Sequence, residues 1–170
     1  QSADACGLAA KLEELNRKRQ RIEGEVLQEA VDQIERNQKD RKGLVAAGSG
    51  WYLGVVGIVA AKLTERFGRP AVVLALSEDG KEARGSARTI PGFSVYEALK
   101  GIEEQMTRFG GHDAAAGMTL AGDNVDRFSE EFDRSVRELW NESVSGPRLW
   151  IDSAIDLGTI NSSLVKELSS

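Results

Sequence analysis

A serine and an arginine two positions apart, Ser86 and Arg88, form the first pair in this sequence suited to holding an anion. Side chains two apart on a β-strand point to the same face. The hydroxyl and the guanidinium can then engage one phosphate, with arginine supplying paired hydrogen bonds. Arg84 falls on the same face. The alternative is a solvent-exposed strand face with an ordinary surface arginine, and spacing alone leaves both interpretations open.

The only histidine of the chain, His112, follows Gly110 and Gly111. One aspartate and then three alanines come after it. Adjacent glycines permit backbone conformations closed to other residues, and they can present N–H groups as an anion nest. The small residues that follow allow a ligand to approach closely. We predict that these three residues line a binding cleft, against the alternative that a lone histidine is structural or solvated.

A third glycine-containing segment, residues 48–54, lies between a predicted strand and a predicted helix. Dinucleotide-binding proteins hold a pyrophosphate at such a turn. The spacing here is G-x-G-x-x-x-G, and the bulky Trp51 and Tyr52 stand where close approach is needed. We predict a structural turn with Trp51 packed on the core, in preference to a nicotinamide or flavin site.

The formal net charge of -5 argues against a nucleic-acid partner only if the acidic excess is evenly spread. Residues 1–42 hold nine basic and nine acidic groups, and residues 43–120 hold eight of each. Residues 121–170 hold five basic and ten acidic groups, which accounts for the whole excess. The acidic helix predicted for 123–142 is interpreted as a solvated face. The glycine-rich middle of the chain is therefore free to bind an anion.

Composition and missing motifs exclude several classes of protein. The chain is 41% hydrophobic and 29% charged, and it has no apolar run long enough to cross a membrane. A single cysteine, Cys6, cannot form an internal disulfide, which suits a cytoplasmic protein. The sequence lacks a cluster of Asp and His for two metal ions, a Walker-type loop, a G-x-S-x-G elbow and a Cys–His pair. These features predict an anion-binding module without a metal site of its own.

The first forty residues predict one long helix over 8–41. Apolar residues recur there at helical spacing, as Leu8, Leu12, Leu15, Ile22, Val26, Ala30 and Ile34. The stripe is narrow and the remaining surface is mostly charged. Two interpretations stay open, namely a helix packed on its own domain and a spacer that joins this domain to another.

From Gly43 onward short apolar runs alternate with helical patterns, which predicts an α/β domain with a mixed sheet. The predicted strands cover 44–47, 71–76, 81–89, 114–120 and 149–157, and a hairpin turn is expected at Asp79-Gly80. The first two predicted helices cover 55–67 and 94–108, and Ser94 opens the second in a capping box with Glu97. A third helix is capped by Asp123 or Asn124. Its predicted core face consists of Val125, Phe128, Phe132, Val136 and Leu139.

Several motifs in order resemble the RecJ family, the single-stranded-DNA-specific 5′–3′ exonucleases of the DHH phosphoesterase superfamily. They are residues 51–60 (WYLGVVGIVA), 67–71 (FGRPA), 85–88 (GSAR), 109–112 (FGGH) and 115–117 (AAG). Residues 15–23 are similar to the long helix that joins the two catalytic domains in that family. The resemblance covers nearly the whole chain.

The resemblance implies three segments. Residues 1–42 would be the interdomain connecting helix, residues 43–146 the DHH-associated substrate-binding domain, and residues 147–170 the first strands of an incomplete oligonucleotide-binding fold. The metal-binding catalytic DHH domain, which uses Mn²⁺ or Mg²⁺ in the family, would be absent from this chain. The fragment alone is then expected to be inactive, with that domain and single-stranded DNA as partners and with DNA repair and recombination as the setting.

The resemblance also implies residue roles. Ser86 and Arg88 would hold backbone phosphates near the 5′ end, and Gly110, Gly111 and His112 would line the cleft that faces the metal centre. His112 would lie near the scissile phosphate in a supporting catalytic role. Tyr52 departs from the pattern, because many relatives have His after the Trp, and it is left out of the predicted site.

Two other functions remain open at this point. One keeps the superfamily and changes the substrate, as in a nanoRNase, a nucleotide phosphatase or a cyclic-dinucleotide phosphodiesterase. Those relatives lack the long helix and the following oligonucleotide-binding fold, which favours the RecJ resemblance. The other is a non-catalytic nucleic-acid-binding module, such as the editing-associated domain of an alanyl-tRNA synthetase.

Overall fold

The computed structural model of the chain describes residues 2–141 and 153–168. Its helices are α1 (Ser2–Asn37), α2 (Leu53–Phe67), α3 (Val95–Lys100), α4 (Val125–Leu139) and α5 (Ser162–Leu168). Its strands are β1 (Leu44–Ser49), β2 (Ala71–Leu76), β3 (Glu82–Arg88), β4 (Arg108–His112) and β5 (Ala115–Ala121). Short 3₁₀ helices lie at Glu103–Gln105, Gly122–Asn124 and Leu157–Thr159.

The five strands form one mixed sheet in the order β1-β2-β3-β5-β4. β1 and β2 are parallel and are joined by α2, whereas all other neighbours pair antiparallel. The β2–β3 hairpin turns through Gly80, whose φ of 68° lies in the left-handed region that glycine adopts at little cost. Gly68, with φ of 62°, ends α2 in the same way. The predicted mixed α/β fold is confirmed.

Apolar side chains on the two faces of the sheet form two separate cores. On one face the sheet is covered by α3 and α4. The core between them contains fully buried side chains from the strands and from both helices, including Val72, Leu74, Leu99, Leu120, Phe128 and Phe132. On the other face α1 and α2 cover β1 and β2, with a core that includes Val31, Ile34, Leu44, Val55, Val59, Leu63 and Val73. This second core stops at β2, which leaves part of that face without a helix over it.

Two glutamines cover the outer edge of β1. Gln33 lies in α1, and Gln38 is the residue that follows the helix. Gln33 donates from Nε2 to the carbonyl of Ala47 (2.9 Å) and accepts from its N–H (3.1 Å). Gln38 pairs in the same way with the carbonyl (2.5 Å) and N–H (3.0 Å) of Val45. Each side-chain amide thus replaces a neighbouring strand, which satisfies backbone groups that would otherwise be open at the edge.

The long helix α1 divides into an exposed half and a packed half. Its 36 residues span about 54 Å at 1.5 Å per residue. Val26, Ala30 and Ile34 are buried against α2 and β1. In the N-terminal half, by contrast, the same stripe is largely exposed, at 63%, 66% and 54% for Leu8, Leu12 and Leu15. The packed-helix interpretation therefore holds for the second half of α1 only.

A buried carboxylate joins α1 to α2. Glu23 is only 5% exposed and binds Lys62 Nζ of α2 at 2.5 Å and Arg19 Nη1 at 2.5 Å. The hydrogen bond from Lys62, supported by the charges of Lys62 and Arg19, holds the pKa of Glu23 below its ordinary value of 4.5, although burial acts in the opposite direction. A carboxyl group with a lowered pKa stabilises the fold above its unfolded pKa, and this contribution is lost as pH falls through the folded pKa.

We expect Glu23→Gln to lower the free energy of unfolding by about 1 kcal/mol at pH 7, because it removes two partly exposed ion pairs. The difference from the parent chain should shrink as pH falls below the unfolded carboxyl pKa of about 4.3, and it should be lost as pH falls through the lowered pKa of the folded state. Urea unfolding at pH 7 and pH 3 measures both values. Glu25→Gln, at an exposed position of the same helix, is the matched control and should change stability by less than about 0.5 kcal/mol. An equal loss at both pH values for Glu23→Gln would contradict this account.

The segment after α3 differs from the prediction. Ser94 caps α3 as expected, with its Oγ accepting from the N–H of Glu97 at 3.2 Å. The helix ends at Lys100, however, and the extension to residue 108 is wrong. Residues 108–112 instead form the edge strand β4, which pairs with β5 from Arg108↔Thr119 to His112↔Ala115. This pairing between segments overrides the local helical pattern, and it adds a strand that the predicted element order lacked.

Two further segments differ in smaller ways. α1 ends at Asn37 rather than at residue 41. The residues after the helix are bound by Arg69, which donates to the carbonyls of Gln38, Lys39 and Arg41. Of the strand predicted for 149–157, residues 149–152 lie outside the described residues. Residues 153–156 have no regular structure and 157 belongs to a 3₁₀ helix, so that part of the prediction is wrong. The start of an oligonucleotide-binding fold at 147–170 stays a prediction.

Candidate nucleic-acid interface

On the α1–α2 side of the sheet, α2 reaches β3, whereas β5 and β4 have no helix packed over them. Residues that pair directly across antiparallel strands lie on the same face, so the register defines this surface row by row. The rows across β3, β5 and β4 are Arg84–Thr119–Arg108, Ser86–Gly117–Gly110 and Arg88–Ala115–His112. We call these nine residues the open face.

On the open face, larger side chains of β3 and β4 flank a row of small residues on β5, and we call the space between them the groove. Its floor along β5 consists of Ala115, Gly117 and Thr119. Neighbouring strands lie about 4.8 Å apart, so the β3 and β4 walls are separated by about 10 Å. A Cβ built on Gly110 would meet no atom within 4 Å, and one on Gly117 would meet only the carbonyl oxygen of Gly85, at 3.9 Å. Neither glycine is required by packing, and both leave the groove open to a ligand.

The charge of the groove is positive. Arg84, Arg88 and Arg108 lie on its walls, and the one carboxylate in the same register on these strands, Glu82, pairs with Arg84 at 2.5 Å. Arg108 is exposed, and within residues 2–141 and 153–168 no acceptor lies within hydrogen-bond distance of its guanidinium. The acidic excess of the last 50 residues lies elsewhere in the sequence. An anion that enters the groove therefore meets mainly arginine.

Ser86 and Arg88 lie together on the β3 wall, as the spacing predicts. Arg88 Nη1 donates to Ser86 Oγ at 2.7 Å and to the carbonyl of Ala87 at 2.8 Å. Both residues are half-buried in an open pocket of about 650 Å³ between α2 and β3. Among the described residues none accepts from Nε or Nη2 of Arg88. Those donors are free to form the paired hydrogen bonds that a phosphate accepts.

A glycine inside α2 makes room for this arginine. A Cβ on Gly57 would lie 3.0 Å from Nη2 of Arg88 and 3.4 Å from Oγ of Ser86. Glycine costs up to about 1 kcal/mol relative to alanine inside a helix, so its presence here has a packing reason. Gly57 allows the guanidinium to lie between α2 and β3 in reach of the groove.

We expect Gly57→Ala to leave the fold as stable as before or to stabilise it by up to about 1 kcal/mol, because alanine favours the helix. Binding of an anionic ligand should weaken about tenfold, because the new methyl group displaces the guanidinium. Thermal unfolding and fluorescence anisotropy with a labelled oligonucleotide measure the two effects. Gly24→Ala is the matched control, since Gly24 lies inside α1 with nothing within 4 Å of the added Cβ. Unchanged binding by Gly57→Ala would contradict this role.

The segment of Gly110, Gly111 and His112 forms most of the β4 wall, but not as a nest. The described glycines with positive φ are Gly50, Gly68, Gly80 and Gly92, so the predicted anion nest at Gly110 and Gly111 is wrong. Gly111 alternates to the opposite face, where a Cβ would lie 2.5 Å from Cα of Ala116. Strand packing explains Gly111, and only Gly110 and His112 of this segment face the groove.

His112 is exposed at the end of the β4 wall, in the same row as Arg88. Its Nδ1 accepts from the N–H of Ala114 at 3.3 Å. This hydrogen bond assigns the ring proton of the neutral imidazole to Nε2. Nε2 can therefore donate to a phosphate oxygen on the side of the groove opposite to Arg88.

Two other glycine segments are structural. A Cβ on Gly85 would lie 2.1 Å from the carbonyl oxygen of Val73, so the close approach of the strands requires this glycine. The ring of Trp51 packs on Gly48, with 2.2 Å between its Cε2 and an added Cβ, and Trp51 Nε1 donates to Glu29 at 2.7 Å. The turn at 48–54 is therefore the predicted structural turn.

The groove does not supply a metal site. Within the described part of the chain no three His, Cys, Asp or Glu residues form a group able to hold a metal ion. The Mn²⁺ or Mg²⁺ that the resemblance implies would belong to the DHH domain, and the open face offers a single histidine and no carboxylate cluster to hold such an ion. In the same part of the chain no helix is long and apolar enough to cross a membrane.

A family model described as the DHHA1 domain matches residues 40–138, a range that holds every strand of the sheet and the whole open face. The chain belongs to the DHHA1 domain family. The predicted resemblance to RecJ is confirmed by curated relatives. The single-stranded-DNA-specific exonuclease RecJ of Bacillus subtilis is 42% identical over 141 residues, which cover 81% of this chain and 18% of the relative. The RecJ of Dickeya dadantii is 35% identical over 156 residues, which cover 87% of this chain and 27% of the relative.

A solved structure agrees with these relatives. The crystal structure of RecJ in complex with Mg²⁺ from Thermus thermophilus matches this DHHA1 chain with a TM-score of 0.71 and 28% identity. The match covers 81% of this chain and 21% of that one. The chain thus spans about a fifth to a quarter of the length of the relatives that it matches.

The predicted site lacks several residues that the structure brings to it, namely Arg108, Ala115, Gly117 and Thr119 of the open face and Gly57 of α2. Arg108 is two residues before Gly110 and four before His112, so strand alternation places it on the same face. The helix predicted through residue 108 obscured this strand alternation. Gly57 has no comparable signal, since its role depends on how α2 crosses β3.

Proposed function

We propose that the open face of this DHHA1 domain binds the phosphate backbone of single-stranded DNA. The observation that carries the proposal is the register, which brings Arg84, Ser86 and Arg88 on one wall opposite Arg108 and His112 on the other. Phosphate contacts from arginine supply most of the affinity for a nucleic acid and do not depend on its sequence.

The width of the groove favours a single strand. Its walls are two strand spacings apart, about 10 Å, and its floor is made of small residues. One extended backbone fits between the walls, with phosphates held by Arg88 and Ser86 on one side and reached by His112 Nε2–H on the other. The Gly110 and Gly117 positions let that backbone approach the sheet closely.

In this proposal the chain is the strand-binding part of a RecJ-like 5′–3′ single-strand DNA exonuclease of the cytoplasm, acting in DNA repair and recombination. The names of the relatives support this activity. Hydrolysis would need the DHH domain of the longer polypeptide, where Mn²⁺ or Mg²⁺ would activate water. Residues of this chain would bind and orient the strand, and His112 would assist near the phosphate that is cleaved. The 170-residue chain alone is expected not to hydrolyse DNA.

Direct binding by the 170-residue chain tests the proposal. We expect a 5′-phosphorylated single-stranded oligonucleotide to bind at least about tenfold more tightly than the matching duplex, because only one backbone fits the groove. A plot of log K against log salt should have a slope of about -2, corresponding to about three phosphate contacts with a single strand. Fluorescence anisotropy over a salt series measures both. Equal affinity for duplex, or binding that does not respond to salt, would contradict the proposal.

A further inference from the structure

An exposed tyrosine lies beside the groove and has no structural task. Tyr52 precedes the first residue of α2 and is 61% exposed. Within the described residues its hydroxyl has no hydrogen-bond partner, and its ring is not paired with another aromatic ring. The preceding aromatic residue is the opposite case, because Trp51 is 7% exposed and bound to Glu29.

The ring of Tyr52 rests beside a glycine. A Cβ on Gly54 would lie 2.5 Å from Cε1 of the tyrosine ring, so the ring rests against the first turn of α2 at a position that only glycine leaves free. A tyrosine side chain has only two χ angles, so it loses little conformational freedom when a flat ligand packs on it. The arrangement therefore provides an exposed aromatic surface at the start of α2.

That surface is continuous with the phosphate groove. Tyr52 and Leu53 line a pocket of about 530 Å³ whose other members include the apolar Ala75 and Leu76, the basic Arg84 and the acidic Glu78 and Glu82. Leu53 and Arg84 also line the pocket that holds Ser86 and Arg88. A nucleotide whose phosphate lies on Arg84 would therefore have apolar and aromatic side chains within reach of its base.

We propose that Tyr52 stacks on a nucleobase of the bound strand. Stacking on an aromatic side chain is tolerant of base identity, because every base has a π-face. It also requires an unpaired base, since both faces of a paired base inside a duplex are covered by its neighbours. Tyr52 would thus add selectivity for single strands to a groove that otherwise contacts only the backbone. This inference rests on the proposed function.

The test compares two oligonucleotides with the same number of phosphates. One is a 5′-phosphorylated run of thymidines, and the other has abasic residues in their place. Tyr52→Leu, which keeps an apolar side chain and removes the ring, should weaken binding of the thymidine strand by about tenfold and that of the abasic strand by less than about twofold. Tyr52→Phe should bind both like the parent chain. Because Tyr52 is largely exposed, Tyr52→Leu should keep the parent melting temperature.

The outcomes separate this inference from the proposed function. If Tyr52→Leu binds the thymidine strand as tightly as the parent, or loses affinity equally for both strands, base stacking is overturned while backbone binding stands. If the parent chain binds neither strand, the proposed function fails and the inference fails with it. A second readout is 2-aminopurine in the strand, whose fluorescence should be quenched by the parent and by Tyr52→Phe but less by Tyr52→Leu.

Discussion

Replacing Arg88 with alanine is expected to weaken single-stranded DNA binding by about ten- to a hundredfold. The guanidinium is held by Ser86 Oγ and the carbonyl of Ala87, and among the described residues none accepts from its remaining donors. A hydrogen bond to a charged group contributes about 1.5–3 kcal/mol, and each 1.4 kcal/mol corresponds to about tenfold in affinity. The salt slope should also become shallower by about 0.7, which is the value of one phosphate contact with a single strand. Anisotropy titrations at several salt concentrations measure both.

Two variants sharpen the Arg88 result. Arg88→Lys keeps the charge and loses the planar fork, so it should restore the salt slope and only part of the affinity. Arg127→Ala changes an exposed arginine of α4, on the other side of the sheet, and should bind like the parent chain. If Arg88→Ala and Arg127→Ala had the same effect, a general loss of positive charge would explain binding, and the specific role of Arg88 would be wrong.

The largest loss of stability is expected for Phe132→Ala, at about 3–5 kcal/mol. Phe132 is fully buried in the core under α4, with its ring centroid 6.1 Å from that of Phe128. Gly43 approaches the same ring so closely that an added Cβ would lie 2.9 Å from Cδ1. Because helix, sheet and loop all pack against this one ring, the surroundings cannot collapse into the space it leaves. Chemical denaturation of the two chains gives the difference directly.

Leu139→Ala is the matched control for Phe132. It lies on the same helix and the same predicted face, but its side chain is 43% exposed, so its loss should be about 1 kcal/mol or less. A loss for Phe132→Ala below about 1 kcal/mol would mean that α4 unfolds separately from the sheet. That result would contradict a single cooperative core on this face.

Local patterns were sufficient for most of the elements. The apolar spacing of α4 places Phe128, Phe132 and Val136 in the core, as predicted. The Asp79-Gly80 pair turns the β2–β3 hairpin because Gly80 adopts positive φ, and Gly68 ends α2 for the same reason. In each case a single residue type or a short repeat decides the structure. Such signals are complete within a few residues of sequence.

The site depended on information that no local pattern contains. Ser86 and Arg88 share a face because of strand alternation, which sequence alone predicts. Their position opposite His112 requires β5 to lie between β3 and β4, and that order is set by pairing among separate segments. The same pairing turns Gly111 away from the groove and brings in Arg108. The roles that the resemblance to RecJ implies for Ser86, Arg88, Gly110, Gly111 and His112 remain predictions.

Mapping the bound strand onto the sheet tests the central claim most directly. In ¹⁵N-labelled 170-residue protein, the amide signals of residues 84–88 and 110–117 should shift as a single-stranded oligonucleotide is added. Signals of α3 and α4, on the covered face, should stay in place. Shifts confined to α3 and α4, or binding without any shift on β3 and β4, would contradict the assignment of the open face as the strand-binding surface.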